Sequence, residues 1–347
     1  MTDAPCFTWH VDQDDVYDGA KCDSMTINGA PTAFNKDQPY SFTMTGRPDD
    51  TLTLKTTSYD VTNWPSNSTG KAATFNINSG KFIYNGGALN FGLAGTDQSN
   101  ILVNIKSQMF LQVSSIIFGE RGNTPAATID IRENGILSAE ASAFAGAYTV
   151  TISDRGLMKI QATNSFDLVD SKVTVDANLS PSEIFNLQTK LPGGAVTENI
   201  SAIRSHIHLQ SSSSARLIAK TLKLSTAEFL AENNSYFDIS FDKLDIGGSS
   251  TFTLLPHYAR FVFTDLTGNG KPPLVFDQYK GVFNFISTQG KNDGKFRFFV
   301  GNNNLNDARE LWKNLSTNGL FAINYKITHG EGLRYSYNTP FLECSLA

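Results

Sequence analysis

Phe75-Asn-Ile-Asn-Ser-Gly-Lys-Phe82, Ile129-Asp-Ile-Arg-Glu-Asn-Gly-Ile136 and Val150-Thr-Ile-Ser-Asp-Arg-Gly-Leu157 share one plan. Each runs apolar, polar, apolar, then a turn containing glycine, then apolar again. The opening triplet recurs as Val103-Asn-Ile105 and Val173-Thr-Val175. A period of two places both apolar members of a triplet on one face of a strand. A single rung of such strands cannot bury its apolar face, whereas rungs stacked at ~4.8 Å merge their faces into one core. Recurrence every 20 to 30 residues or so is the signature of a solenoid. Gly80, Gly135 and Gly156 close the turns, where they are expected to supply positive φ. The alternative is an antiparallel β sandwich, whose strands also alternate and turn at Gly and Asn. A sandwich, however, does not require a matching turn after each triplet. The fold expected is therefore all-β, a parallel β-helix (solenoid) with an N-terminal cap and a small α+β C-terminal cap.

Working outward, residues 71–272 carry the rungs, which continue less regularly through Ile207-His-Leu209, Phe237-Asp-Ile-Ser-Phe241 and Phe252-Thr-Leu254. Ser180-Pro-Ser-Glu183 has the form of a capping box, and Pro192-Gly-Gly194 follows it. The pattern predicts a helical insertion over 181–191, with Ile184, Leu187 and Leu191 on the solenoid wall. Residues 1–70, with Asp12, Asp14, Asp15 and Asp18 followed by alternating Thr51-Leu-Thr-Leu-Lys-Thr56, read as an N-terminal cap or small β domain. Residues 273–347 hold aromatic runs and a predicted helix from Asp307 to Leu315, and read as a cover for the open end of the solenoid.

Composition supports β structure. The 347 residues are 40% hydrophobic and only 18% charged, and Ser, Thr, Asn and Gly make up the polar remainder. With 28 basic and 33 acidic residues the formal net charge is −5, and no segment gathers Lys and Arg into a linear stripe, so nucleic acid is not expected as a partner. The longest apolar runs fall far short of the ~20 residues a membrane-spanning helix needs, so no membrane insertion is expected. Met1-Thr-Asp-Ala4 lacks the basic and apolar regions of a signal peptide. Three cysteines are too few for a disulfide scaffold; Cys6 and Cys22 are the candidate pair, which implies an oxidising compartment and leaves Cys344 over.

Residues that could carry chemistry are few. Asp265-Leu-Thr-Gly-Asn-Gly-Lys-Pro-Pro-Leu-Val275 resembles the calcium loop of FG-GAP repeats, which implies Asp265, Thr267 and Asn269, with the Lys271 carbonyl, as oxygen ligands for Ca²⁺. Pro273 stands where that family has a carboxylate, which leaves a Gly-rich turn as the simpler reading. His206 and His208 lie on one strand face, an arrangement that can begin a metal site or be two solvated imidazoles. No nucleophile motif or phosphate-cradling loop is present. Paired carboxylates for glycan cleavage would leave no linear motif on a solenoid, so Glu133, Glu140, Asp154, Asp167 and Asp170 stand as candidates. Trp9, Tyr59, Trp64 and Tyr279 fall outside the rung pattern and are candidates for stacking on sugars or for cap core. Sequons occur at Asn67, Asn178, Asn199, Asn233 and Asn314.

The triplet-turn-apolar units and the Asn- and Ser-rich corners of residues 73–266 resemble the β-helical passenger regions of bacterial autotransporters and haemagglutinin-type adhesins. What that resemblance implies is an extracellular, cell-surface or virion-associated binding protein that presents a rigid, mostly uncharged face to a cell-surface glycan or protein. Two other functions fit the same scaffold: a polysaccharide-acting hydrolase or lyase, and a toxin or effector module delivered to a target cell.

Overall fold

The computed structural model describes residues 6–10, 13–30, 40–64, 73–91, 101–118, 127–176, 185–187, 197–266, 279–301 and 305–347. The chain divides into two compact units, Met1–Lys172 and Val173–Ala347. Both are built as parallel β-helix.

In the first unit the triplets pair as the repeat requires. Phe42, Phe75, Val103, Ile129 and Val150 are successive Cα partners in five parallel strands, Ser41–Thr45, Ala73–Ile77, Ile101–Ile105, Ala127–Ile131 and Tyr148–Ser153. Asp15–Asp18 pairs in parallel before them. The second sheet stacks Met25–Asn28, Thr51–Lys55, Lys81–Phe91, Gln108–Phe118, Ile136–Gly146 and Leu157–Val169, all parallel. Lys81–Asn85 pairs with Thr51–Lys55, while Ala88–Phe91 pairs with a separate strand, Val61–Trp64, so this long strand spans two separate strands of the rung before it. Among the described residues of this unit the strands pair in parallel, which excludes the antiparallel sandwich.

Because the register repeats, like side chains stack. Phe91 lies on Phe118 with ring centroids 4.4 Å apart and planes within 2° of parallel, and Phe118, Phe144 and Phe166 continue the column. All are buried. The open end of this core is plugged by Phe7 and Trp9; the Trp9 ring packs on Phe42 at 4.8 Å. Cys6 is disulfide-bonded to Cys22 in the four-residue helix Gly19–Cys22, which ties the plug to the first rungs. The strands Asp15–Asp18, Met25–Asn28, Ser41–Thr45, Thr51–Lys55 and Val61–Trp64 thus pair in parallel with the rungs that follow them.

The second unit repeats the plan. His206–Gln210, Glu228–Ala231, Thr251–Leu254, Phe283–Phe285 and Phe321–Ile323 form one parallel series. Ser214–Ser225, Tyr236–Gly247, Arg260–Asp265 and Lys295–Phe299 form the other. Phenylalanine fills the interior: Phe252, Phe261, Phe263, Phe283, Phe296, Phe298 and Phe321 are all wholly buried. Phe283–Phe285 and Lys295–Phe299 therefore still belong to the parallel rungs. Only then does the chain reverse. The helix Leu305–Thr317 precedes Lys326–Thr328, which is antiparallel to Phe321–Ile323, and the hairpin Leu333–Asn338 with Phe341–Leu346 adds antiparallel to Lys295–Phe299. Cys344 is buried and unbonded in that hairpin, and burial pushes its thiol well above the ordinary range.

Two expectations are corrected. The helical insertion over 181–191 is interrupted by a strand, Phe185–Leu187, in parallel register with Ala215–Leu217; residues 181–184 and 188–191 lie outside the described residues. Phe185-Asn-Leu187 is itself an apolar-polar-apolar triplet. Ladder bonds to a ready-made strand outcompete a helix of about three turns, which is marginal alone. The second correction concerns the corners. Gly80 has φ +77°, but Gly135 and Gly156 do not adopt positive φ; the left-handed residues are Glu133 (+56°) and Asp154 (+55°), two positions earlier. Gly135 is required for a different reason, since a Cβ there would lie 2.0 Å from the Ile105 carbonyl oxygen of the rung below.

Candidate functional site

Alternation decides what the long-strand sheet of the first unit shows to solvent. Phe82, Tyr84, Met109, Leu111, Leu137 and Ala139 point inward and are buried. The residues between them point outward in rows. One row is Ile83, Phe110 and Ser138; beside it run Lys81 with Gln108, and Gln112 with Glu140. Together they line a concavity of about 330 Å³. Gln112 Nε2 donates to Glu140 Oε2 at 3.4 Å. An aromatic ring and a branched aliphatic chain floor the concavity, and amides, one hydroxyl, one ammonium and one carboxylate rim it. That chemistry suits a ligand with an apolar face and many hydroxyls.

The other sheet of the unit carries a polar ladder. Asn104 Nδ2 donates to Asn76 Oδ1 at 2.8 Å, Asn76 Nδ2 donates to Thr43 Oγ1 at 3.3 Å, and Asp130 follows Asn104 in register. Arg132 pairs with Asp130, and Lys106 Nζ lies 2.8 Å from Glu133 Oε1. A hollow of about 200 Å³ opens between these groups. Its donors and acceptors are bonded largely to one another, so it is a structural seam.

Of the carboxylates that the sequence offers for glycan cleavage, Glu133 and Asp154 meet at one corner. Glu133 pairs with Lys106, and Asp154 Oδ2 accepts the Glu133 backbone N–H at 3.4 Å. Asp167 accepts from Ser165 Oγ at 3.2 Å, and Asp170 occupies a left-handed turn with φ +50°. Glu140 alone of the five lines the Phe110 concavity.

His206 and His208 do share an outward face in the second unit, each beside a carboxylate. His206 Nδ1 lies 3.2 Å from Glu228 Oε2, and His208 Nε2 lies 3.3 Å from Glu232 Oε1. Tyr325 donates its hydroxyl to Glu228 Oε1 at 3.1 Å. Hydrogen bonding from His206 holds Glu228 below the ordinary carboxylate range, and burial holds the His208 imidazole below its own. Among the described residues no three His, Cys, Asp or Glu side chains are placed to share a metal ion. Asp265 ends the strand Arg260–Asp265, buried in line with Phe261 and Phe263. Thr267, Asn269 and Lys271 lie outside the described residues, as does Pro273.

No protein-family model, curated protein or solved structure matches the chain. The case for a site therefore stands on its geometry. Of the aromatics picked out from the sequence, Trp9 is core, Tyr59 is 93% exposed, Tyr279 is half-buried, and Trp64 ends the strand Val61–Trp64. Phe110 lies within a rung, where an aromatic ring reads as core. The signal was nonetheless present: in Gln108-Met-Phe-Leu-Gln112 the inward phase belongs to Met109 and Leu111, which leaves Phe110 on the polar phase.

Proposed function

We propose that this protein is a binding protein that recognises a cell-surface glycan through the outer face of its first unit. The observation that carries the reading is Phe110, a half-buried ring set among Ile83, Gln108, Gln112 and Glu140 on a rigid parallel sheet. Pyranose rings present an apolar face to an aromatic and hydroxyls to amide and carboxylate rims, and a sheet whose backbone is already ordered loses little entropy on binding. The Cys6–Cys22 disulfide supports an extracellular or surface location, since such bonds persist in oxidising compartments. This is adhesin-like recognition without turnover.

The test is a glycan array followed by titration of the best neutral ligand. Phe110→Ala should weaken binding about 2- to 12-fold, the equivalent of ~0.5–1.5 kcal/mol for a stacking contact. Failure of every arrayed glycan to bind, or an unchanged affinity in Phe110→Ala, overturns the reading. Release of new reducing ends or unsaturated products from a polysaccharide panel overturns it in favour of a hydrolase or lyase.

A further inference from the structure

In the second unit, the register of the Tyr236–Gly247 sheet brings together cations that are far apart in the chain. Tyr236, Arg260 and Lys295 are successive Cα partners on three parallel strands. The next strand carries Ser345 beside Cys344, the partner of Phe296, and Ser345 in turn partners Arg334 on the edge strand. All of these face outward, because the intervening Phe237, Phe261, Phe296 and Cys344 are buried. Arg297 stands one step along the same face.

Only one carboxylate is ion-paired to these cations among the described residues. Glu343 lies 2.8 Å from Lys295 Nζ and 3.0 Å from Arg297 Nε, with its own side chain 7% exposed. Arg260 and Arg334 have no ion-pair partner among the described residues. Arg260 lies over the Tyr236 ring at 4.9 Å, and Arg334 Nε donates to Ser345 Oγ at 3.2 Å. Like charges on directly paired positions, such as Arg260 and Lys295, repel one another. In a chain of net charge −5, a row with an excess of cations is an arrangement that an anion would relieve.

We infer that this row binds an acidic saccharide, one carrying carboxylate or sulfate groups. Three strand spacings of ~4.8 Å separate Arg260 from Arg334, about 14 Å, a reach that suits a short run of sugar residues with anions at intervals. The Tyr236 ring at one end and the Ser345 hydroxyl within the row complement sugar as well as charge. Arg presents a planar fork that grips carboxylate and sulfate oxygens in pairs. Duplex nucleic acid is the poorer fit, because stable binding there draws on about 6–10 phosphate contacts. The site is separate from the Phe110 concavity and does not depend on it.

The probes are hexameric oligogalacturonate and a heparin-derived hexasaccharide, with neutral maltohexaose and a short DNA duplex as comparisons, each titrated against the full chain. At least one acidic probe should bind more tightly than maltohexaose, weaken as salt rises, and lose at least tenfold in affinity in the Arg260→Gln/Arg334→Gln double variant. Both side chains are exposed, so the variant should keep the wild-type circular dichroism spectrum. Phe110→Ala should leave this binding unchanged, which separates failure here from failure of the Phe110 site. Acidic probes that bind no better than maltohexaose, wild-type affinity in the double variant, or tighter binding of the DNA duplex than of either acidic probe would each overturn the inference.

Discussion

Replacing Phe283 by Ala tests the packing that the register creates. Phe283 is wholly buried, and the rings it meets include Phe298 at 5.1 Å, Phe296 at 5.2 Å, Phe263 at 5.4 Å, Phe321 at 5.8 Å and Phe252 at 6.0 Å. Truncating a buried Phe costs about 3–5 kcal/mol in lost transfer energy and residual cavity. Aromatic pairs add ~0.5–1.5 kcal/mol each beyond area, and pairs that share one ring do not add in full. Neighbours fixed on a stacked backbone cannot collapse far into the hole, so the loss should be about 5 kcal/mol. That is a large part of the ~5–15 kcal/mol that holds a typical domain folded. Urea unfolding by far-ultraviolet circular dichroism measures the loss, and hydrogen exchange over Phe252–Leu254 and Phe321–Ile323 localises it. Phe283→Leu, which keeps most of the volume, should cost less than half as much, and Phe110→Ala, an outward ring, under ~1 kcal/mol. A loss below ~2 kcal/mol for Phe283→Ala with an unchanged m-value would refute the close-packed register of residues 252, 283 and 321.

Two further outcomes follow from corners and charges. Gly135→Ala should cost more than ~2 kcal/mol by thermal melting, because its methyl meets the Ile105 carbonyl, whereas Glu133→Gly should be neutral or slightly stabilising, since it relieves a left-handed non-glycine residue and gives up only an exposed ion pair. Acidification should destabilise the second unit in two stages. Burial lowers the His208 pKa, so the unfolded chain takes up that proton first and stability falls as pH drops below the ordinary value of 6.5; Glu228, lowered by its bond from His206, adds a further loss below 4.5, as pH falls through its folded value. Melting temperature against pH should lose its first stage in His208→Gln and its second in Glu228→Gln; profiles unchanged by both substitutions would count against the arrangement.

The fold was legible because its signal is local and repeated. Phe75-Asn-Ile77 and its copies state in linear order which side chains face the core, and period-two alternation holds whatever the strand pairs with. The solenoid, the candidate pairing of Cys6 with Cys22 and the helix near Asp307 could all be read from such local patterns. The capping box at Ser180 misled for the same reason: it is a local preference, and Phe185–Leu187 answers instead to a neighbouring strand that no local pattern reveals. The sequence marks the corner at Gly135 but not the reason for it, since the Ile105 carbonyl that excludes a side chain there comes from another rung.

What only the tertiary structure decided is which outward residues become neighbours. Arg260, Lys295 and Arg334 are scattered in a chain with no basic stripe, and strand register sets them in one row. Phe110 gains its meaning from Ile83, Gln112 and Glu140, each contributed with it by stacked strands. Alternation tells a residue which way to face; the spacing of ~4.8 Å between stacked strands decides what it faces alongside, and the proposed binding surfaces are made of lateral neighbours of that kind.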